Sequence, residues 1–75
     1  MKYHRTLYGL LAKSGKWRVE IIKTSLPGSV EFGPMNYAWL IYEDGGIRAR
    51  GWTDTLKRAR ACVACVLREW GVGDE

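Results

Sequence analysis

The segment Asp44-Gly45-Gly46 constrains the fold of this chain more than any other. It separates two runs of strand-forming residues, 37–43 and 47–52. Glycine adopts the positive φ angles of tight hairpin turns without steric cost, so the segment predicts an antiparallel β-hairpin. Because residues 37–43 are apolar on both faces, we expect them to form a central strand.

A further strand is indicated earlier in the chain. Apolar and polar residues alternate over 17–21, which is the period-two pattern of a half-buried strand. Turn-forming residues over 24–29, including Pro27-Gly28, predict that this strand ends there and that a long loop runs to Gly33-Pro34. Some apolar residues of that loop are candidates for partner contact: Leu26, Val30 and Phe32.

The first dozen residues fit two patterns. The spacing of Tyr3, Leu7 and Leu10 matches a short helix, whereas alternation over 7–11 matches a strand that turns at residues 13–16. We favour the strand. The chain is then an α+β fold, with a small antiparallel sheet of three or four strands and one C-terminal helix packed on one face. The helical option gives the order α-β-β-β-α.

One amphipathic helix is predicted near the C-terminus. Thr55 is a favourable N-cap, and Gly71 a favourable left-handed C-cap. Small Ala49 and Gly51 on the preceding strand would let this helix lie close to the sheet. Residues 1–75 are expected to form one compact domain, with 71–75 as a mobile acidic tail. The apolar stripe of the helix comprises Leu56, Ala59, Val63, Val66, Leu67 and Trp70.

The first turn of this helix carries unfavourable charges. Lys57, Arg58 and Arg60 crowd the end where the backbone dipole is already positive, which costs about 0.3–1 kcal/mol per cation at low salt. An anion docked there would offset this cost, because unpaired backbone N–H groups and basic side chains would face it. We therefore predict a partner-binding site at these residues, extended along the helix by Arg68. An ordinary solvated helix face is the alternative.

The exposed face of the sheet is a second candidate surface. Alternation places Arg48, Arg50 and Trp52 on the face away from the helix, and Arg18 is expected to join them. Arginine among aromatic rings is typical of single-stranded nucleic-acid platforms and equally of protein–protein hot spots. Glu20, expected on the same face, argues against a continuous phosphate track.

The sequence offers little chemistry for an enzyme. His4 is the only histidine, and the carboxylates are scattered. Cys62 and Cys65 lie at i and i+3 of the predicted helix, where helix geometry disfavours an intrachain disulfide. Packing of small residues is the preferred interpretation of this pair, with a redox pair or a metal site shared by two copies as alternatives. We predict no enzymatic activity, no cofactor and no metal.

Charge and hydropathy restrict the partner and the compartment. Twelve Lys and Arg residues against eight Asp and Glu residues give a net charge of +4, which suits an acidic partner. No segment approaches the roughly 20 apolar residues of a membrane span, and none has the pattern of a signal peptide. We expect a cytoplasmic protein without membrane contact. Whether it is a monomer or a homodimer stays open.

A pattern in the second half of the chain consists of Gly51, Thr55, Lys57, Ala59 and Arg60. It resembles the glycine-then-Ser-Lys-Lys-x-Ala-Lys motif with which double-stranded RNA-binding domains begin their second helix on phosphates. The match covers less than half of the chain, and Leu56 stands where that family has its first lysine. The resemblance implies the α-β-β-β-α order and phosphate contacts at the helix start.

A three-stranded sheet with one helix also resembles the arm-type DNA-binding domain of phage tyrosine recombinases. We interpret both resemblances as a shared sheet-and-helix architecture, since a fold does not fix a function.

These patterns together predict a small non-enzymatic binding protein. They favour an inhibitor that occludes an acidic surface of a partner protein or complex, of the kind that phages and other mobile elements encode, such as anti-CRISPR proteins. The alternative is a nucleic-acid-binding module that uses the basic helix start and the Arg-aromatic sheet face. The candidate contact residues are Lys57, Arg58, Arg60, Arg68, Arg48, Arg50, Trp52 and Arg18.

Overall fold

A computed structural model describes residues 2–29 and 33–72. The strands form one antiparallel sheet in sequence order, β1-β2-β3-β4-β5, and a helix follows. The α+β class and the C-terminal helix are confirmed, but the sheet has five strands rather than three or four. The elements are β1 (Tyr3–Arg5), β2 (Gly9–Ser14), β3 (Trp17–Ser29), β4 (Gly33–Glu43), β5 (Gly46–Thr53) and α1 (Leu56–Glu69).

The additional strand lies at the N-terminus. β1 runs antiparallel to β2, with Tyr3 opposite Ala12. The preference for a strand in this region is confirmed by β2, but Leu7 and Tyr8 lie in the turn that separates β1 from β2 instead of within the strand. Because two strands occupy this region in place of a helix, the α-β-β-β-α order implied by the double-stranded RNA-binding resemblance is wrong.

β3 and β4 are longer than the sequence pattern predicts. The predicted break at 24–29 and the long loop to Gly33-Pro34 are wrong, because pairing continues to Ser29 opposite Gly33. The register shifts twice between residues 23 and 29, so the turn-forming residues are absorbed as bulges. A bulge interrupts the hydrogen-bond ladder, which allows a strand to contain Pro27. The side chains proposed for contact in this region lie outside the described part of the structure: Leu26, Val30 and Phe32.

The hairpin predicted at Asp44-Gly45 is confirmed. Both residues have positive φ, 51° and 85°, as a two-residue type I′ turn requires. β4 is the strand between β3 and β5, as expected for its apolar sequence. The register of this hairpin shifts near the turn, because Ala49 lies opposite Ile41 whereas Ile47 lies opposite Tyr42. β5 thus has one extra residue relative to β4 at this point. This β-bulge interrupts the regular alternation of β5 at Arg48.

The core lies between α1 and one face of the sheet. Ala59, Val63 and Leu67 recur every fourth residue of α1 and are buried, so the predicted apolar stripe is confirmed. On the sheet side, the core consists of Ala12, Val19, Ile21 and Ile41, each with no exposed surface.

Both predicted ends of α1 are confirmed. The Thr55 hydroxyl accepts a hydrogen bond of 3.1 Å from the Arg58 amide, and Gly71 adopts a left-handed φ of 72° just after the helix. Trp70 stacks on Trp17, with ring centroids 5.5 Å apart. The acidic end of the predicted mobile tail, residues 73–75, lies outside the described residues.

The helix covers only part of its side of the sheet. The α1 backbone lies close to β3, β4 and β5, and not to β1 and β2. Gly51, which was expected to let the helix approach, instead makes room for the Trp39 indole. Within residues 2–29 and 33–72, no helix combines the length and the apolar character needed to cross a membrane.

Candidate functional site

The three cations at the start of α1 have different surroundings. Lys57 has no carboxylate within 4 Å in the described part of the chain, and the first turn contains no acidic residue. Arg58 reaches back to Asp54, with Nη1 and Oδ2 3.7 Å apart. The Arg60 guanidinium lies 4.9 Å from the centre of the Tyr3 ring on β1. The charge of Arg58 is therefore partly compensated by Asp54, whereas the charges of Lys57 and Arg60 are not compensated by a described carboxylate.

Arg68 does not belong to this group. It lies in the last turn of α1, about 16 Å along the helix axis from Lys57. A cation at that end stabilises the helix, because the dipole is negative there. Helix electrostatics is therefore sufficient to account for Arg68.

The face of the sheet away from α1, here called the open face, carries a row of neighbours from β3, β4 and β5. Arg18 lies opposite Tyr42, and Tyr42 lies opposite Ile47. In the next row, Glu20, Leu40 and Arg50 are cross-strand neighbours. Directly opposite residues in a sheet share a face, so the expected grouping of Arg18 with Arg50 and Trp52 is found on this face.

Arg18 is already engaged. Its guanidinium lies 4.2 Å from the centre of the Tyr42 ring, and its Nε is 3.5 Å from a Glu20 carboxylate oxygen. The Tyr42 hydroxyl donates a hydrogen bond of 3.5 Å to the other oxygen of Glu20. One face of the planar guanidinium that would stack on a base is thus occupied by Tyr42, and the charge that would meet a phosphate is compensated by Glu20.

The rest of the open face is exposed and largely apolar. Ile47 and Trp52 are 54% and 47% exposed, and Arg50 is also exposed without an ion pair among the described residues. Such a mixture suits contact with a protein better than contact with a sugar-phosphate chain.

Arg48 lies at the β5 bulge and pairs with Glu43. The bulge places Ile47 opposite Tyr42 in its stead, and Arg48 Nε lies 3.4 Å from Glu43 Oε1. Glu43 also pairs with Lys16, with Nζ and Oε2 2.8 Å apart. That Arg48 shares a face with Arg50 stays a prediction, because the bulge leaves Arg48 without a directly opposite residue on β4.

The Lys16–Glu43 ion pair links the β2–β3 turn to β4 and shifts the pKa of both side chains. The hydrogen bond from Lys16, with a smaller Coulombic contribution from Arg48, holds the pKa of Glu43 below its ordinary value. The hydrogen bond to Glu43 and its charge raise the pKa of Lys16. Both charged forms are therefore favoured at neutral pH.

A cleft of about 560 Å³ opens on the helix side of the sheet, between the start of α1 and the β1–β2 turn. Its walls are residues 5–10, Lys23, Tyr37 and Leu56. Arg5 and Lys23 are both exposed cations, and none of the described residues lining the cleft is acidic. The cleft is thus positively charged, with apolar side chains between its cations.

Three hydrogen bonds hold the turn at the rim of this cleft. The Thr6 amide donates to the Gly9 carbonyl at 2.8 Å, and the Gly9 amide donates to the Thr6 hydroxyl at 3.1 Å. The Lys23 amide donates to the Tyr8 carbonyl at 2.9 Å. Although this turn is fixed, Leu7 and Tyr8 are 87% and 70% exposed.

Gly9 allows the turn to lie against β3. A Cβ at this position would overlap the Ile21 carbonyl oxygen. Only glycine therefore fits this close approach of two backbones. The turn that exposes Leu7 and Tyr8 depends on this contact.

Sequence reasoning missed the cleft residues Arg5, Lys23, Leu7 and Tyr8. Alternation along β3 would have placed Lys23 on the helix side with Val19 and Ile21, had the strand been extended to it. Arg5 could be placed there only with β1 recognised as a separate strand. Nothing in the sequence indicated a turn at Leu7 and Tyr8, since both fit the alternating pattern of a strand.

Comparisons with protein-family models, with curated proteins and with solved structures find no match to this chain.

Cys62 and Cys65 are free thiols, the latter exposed. In the described ranges, no three potential metal ligands lie together. The arguments for function therefore rest on the geometry of this chain.

Proposed function

We propose that this chain is a non-enzymatic binding protein that covers an acidic surface of a partner protein. The observation that carries the proposal is a group of uncompensated cations beside exposed apolar side chains on the helix side. Arg5, Lys23 and Lys57 have no ion pair with a described residue, and Leu7 and Tyr8 protrude next to the first two. Cations steer an acidic partner, and apolar side chains add contact area that excludes water.

The alternative, nucleic-acid binding through the open face, has weaker support. Its central arginine, Arg18, is covered by Tyr42 and compensated by Glu20. The cations that remain are spread over opposite sides of the sheet instead of following one groove. A single-stranded nucleic acid is bound by a continuous basic track with stacking rings.

A non-enzymatic role accords with the engagement of the carboxylates. Glu20, Glu43 and Asp54 each lie within 4 Å of a cationic group. Occlusion of a partner needs no reactive group and acts at a one-to-one ratio, which is how small inhibitor proteins work. Inhibitors of the type that mobile elements encode, such as anti-CRISPR proteins, remain the class that we propose.

The proposal is tested by measuring the affinity of the purified chain for a captured and identified protein partner at about 50 and 200 mM salt. The variant Lys57→Ala with Arg60→Ala should bind at least about tenfold more weakly, since two cations of the contact are lost. The matched control, Lys2→Ala with Lys13→Ala, removes the same charge from exposed lysines outside α1 and the cleft and should bind within about twofold. Equal losses in both variants would overturn the assignment to the helix side.

A parallel titration with mixed single- and double-stranded DNA and RNA decides between the two classes of partner. We expect only weak binding to nucleic acids. Tight binding that falls by about 0.9 log unit per phosphate contact for each tenfold rise in salt would favour the alternative and overturn the protein-binding proposal.

A further inference from the structure

The cleft between α1 and the β1–β2 hairpin combines features of a peptide-binding site. It has about 560 Å³ of space, within the range of about 300–1,000 Å³ that is usual for ligand sites. Arg5 on β1 and Lys23 on β3 line it, Leu10 lies on β2 between these two strands, and Tyr37 and Leu56 add apolar surface. An occupant of complementary chemistry carries carboxylates on either side of an apolar side chain.

We propose that this cleft receives an acidic segment of the partner protein, with an apolar side chain of that segment seated against Leu10 and Leu56. The inference rests on the proposed function, because it names the part of the partner that the helix side would hold. Leu7 and Tyr8 on the rim extend the apolar contact.

Charge and rigidity both support this occupant. Arg5 and Lys23 have no carboxylate partner among the described residues, so an incoming carboxylate displaces no existing ion pair. The Tyr8 carbonyl is bonded to the Lys23 amide, and Thr6 is bonded twice to Gly9. The turn is therefore already ordered before binding, which lowers the entropic cost of association.

The chemistry of the cleft disfavours a bare phosphate chain. The apolar floor gains nothing from a sugar-phosphate backbone, whereas a leucine or phenylalanine side chain gains by leaving water. Carboxylates flanking such a side chain accept charge-assisted hydrogen bonds from a guanidinium and an ammonium group.

The probe for this proposal is a capped synthetic peptide with two glutamates on each side of a Leu-Phe pair. It is titrated into the isotope-labelled full chain, and amide shifts are followed by NMR at about 50 mM salt. We expect saturable shifts at residues 6–10 and at Lys23. The same peptide with glutamines in place of the glutamates should bind at least about tenfold more weakly.

Two variants locate the site. Arg5→Gln with Lys23→Gln should weaken binding of the glutamate peptide at least about tenfold, and Leu7→Ala should weaken it about threefold. The matched control, Lys2→Gln with Lys13→Gln, has the same net charge, changes two exposed lysines outside the cleft lining and should bind within about twofold. All of these side chains are exposed, so the variants should fold, and their amide spectra report whether they do.

Several results would overturn the inference. These are shifts that map to the open face, equal losses in the cleft variant and its control, absence of saturation, or equal affinity for a single-stranded DNA of the same charge. The proposed function fails separately. If the variant Lys57→Ala with Arg60→Ala no longer binds a captured partner, while Arg5→Gln with Lys23→Gln binds it fully, the cleft proposal is overturned and the helix-side contact stands.

Discussion

The Trp39 indole lies in the space that a side chain on Gly51 would occupy. A Cβ built on Gly51 comes within 2.5 Å of Cζ2 and 2.6 Å of Cε2 of Trp39. The two residues are cross-strand neighbours on β4 and β5, and the ring packs against the core. The aromatic ring on one strand thus fills the gap left by glycine on the next.

Gly51→Ala should destabilise the fold by about 1–3 kcal/mol, because the added methyl forces the indole out of its packed position. Gly46→Ala is the matched control on the same strand, since its Cβ would meet only the Glu43 carbonyl oxygen at 3.7 Å. The control should change stability by less than about 0.5 kcal/mol. Urea unfolding measures both, and equal effects would contradict the packing argument.

Lys57 and Arg68 occupy opposite ends of α1 and should respond oppositely to charge reversal. Lys57→Glu places an anion at the positive end of the dipole and should raise the free energy of unfolding by about 0.3–1 kcal/mol. Arg68→Glu makes the same change in net charge at the negative end and should lower it by a similar amount. Thermal and urea unfolding at low salt would reveal the signs. Shifts in the same direction would show that net charge, not the dipole, governs the response.

The Lys16–Glu43 pair predicts how stability depends on pH. Because the folded pKa of Glu43 is depressed, its contribution is present above the unfolded pKa of about 4.3 and is lost as pH falls through the folded value. The pKa of Lys16 is raised, so its contribution is present below about 10.4 and is lost as pH rises through the folded value.

Glu43→Gln tests the acidic half of this prediction. The stability difference between this variant and the parent chain should be largest near neutral pH and should shrink as the pH is lowered through the acid range. Urea unfolding over about pH 2.5–7 measures the difference. A difference that does not vary with pH would mean that the ion pair does not couple to folding.

Arg18 and Tyr42 should be energetically coupled. A double-mutant cycle with Arg18→Gln and Tyr42→Leu is expected to give an interaction of about 0.5–1 kcal/mol, as found for partly exposed cation–π pairs. Lys13→Gln in place of Arg18→Gln is the control, because Lys13 lies on the same face without a described contact to the Tyr42 ring. If the stability effects of Arg18→Gln and Tyr42→Leu simply add, the two side chains are not energetically coupled.

The sequence predicted the elements that local chemistry determines. The Thr55 cap, the glycine after α1 and the Asp44-Gly45 turn are confirmed, because each depends on residues within one turn of the chain. The buried alternation of β3 is confirmed for the same reason, at Val19 and Ile21.

Features set by pairing between strands were not predicted. β1 has only three residues and becomes a strand because β2 pairs with it, so no local pattern announces it. The bulges of β3 and β5 are likewise properties of the register. The bulge leaves Arg48 without a directly opposite residue, and the turn at Leu7 creates a cleft that simple alternation could not show.

Among the strands that the structure describes, β5 lies at the edge of the sheet and pairs with β4 alone. Eight residues with a free edge offer a template on which a strand of another molecule can add, and such edges promote aggregation. The bulge interrupts that template, and Arg48 and Arg50 set positive charges along it. Two copies meeting edge to edge would bring these charges together. We expect the two arginines to disfavour pairing of this edge with a second copy, a role that requires no partner.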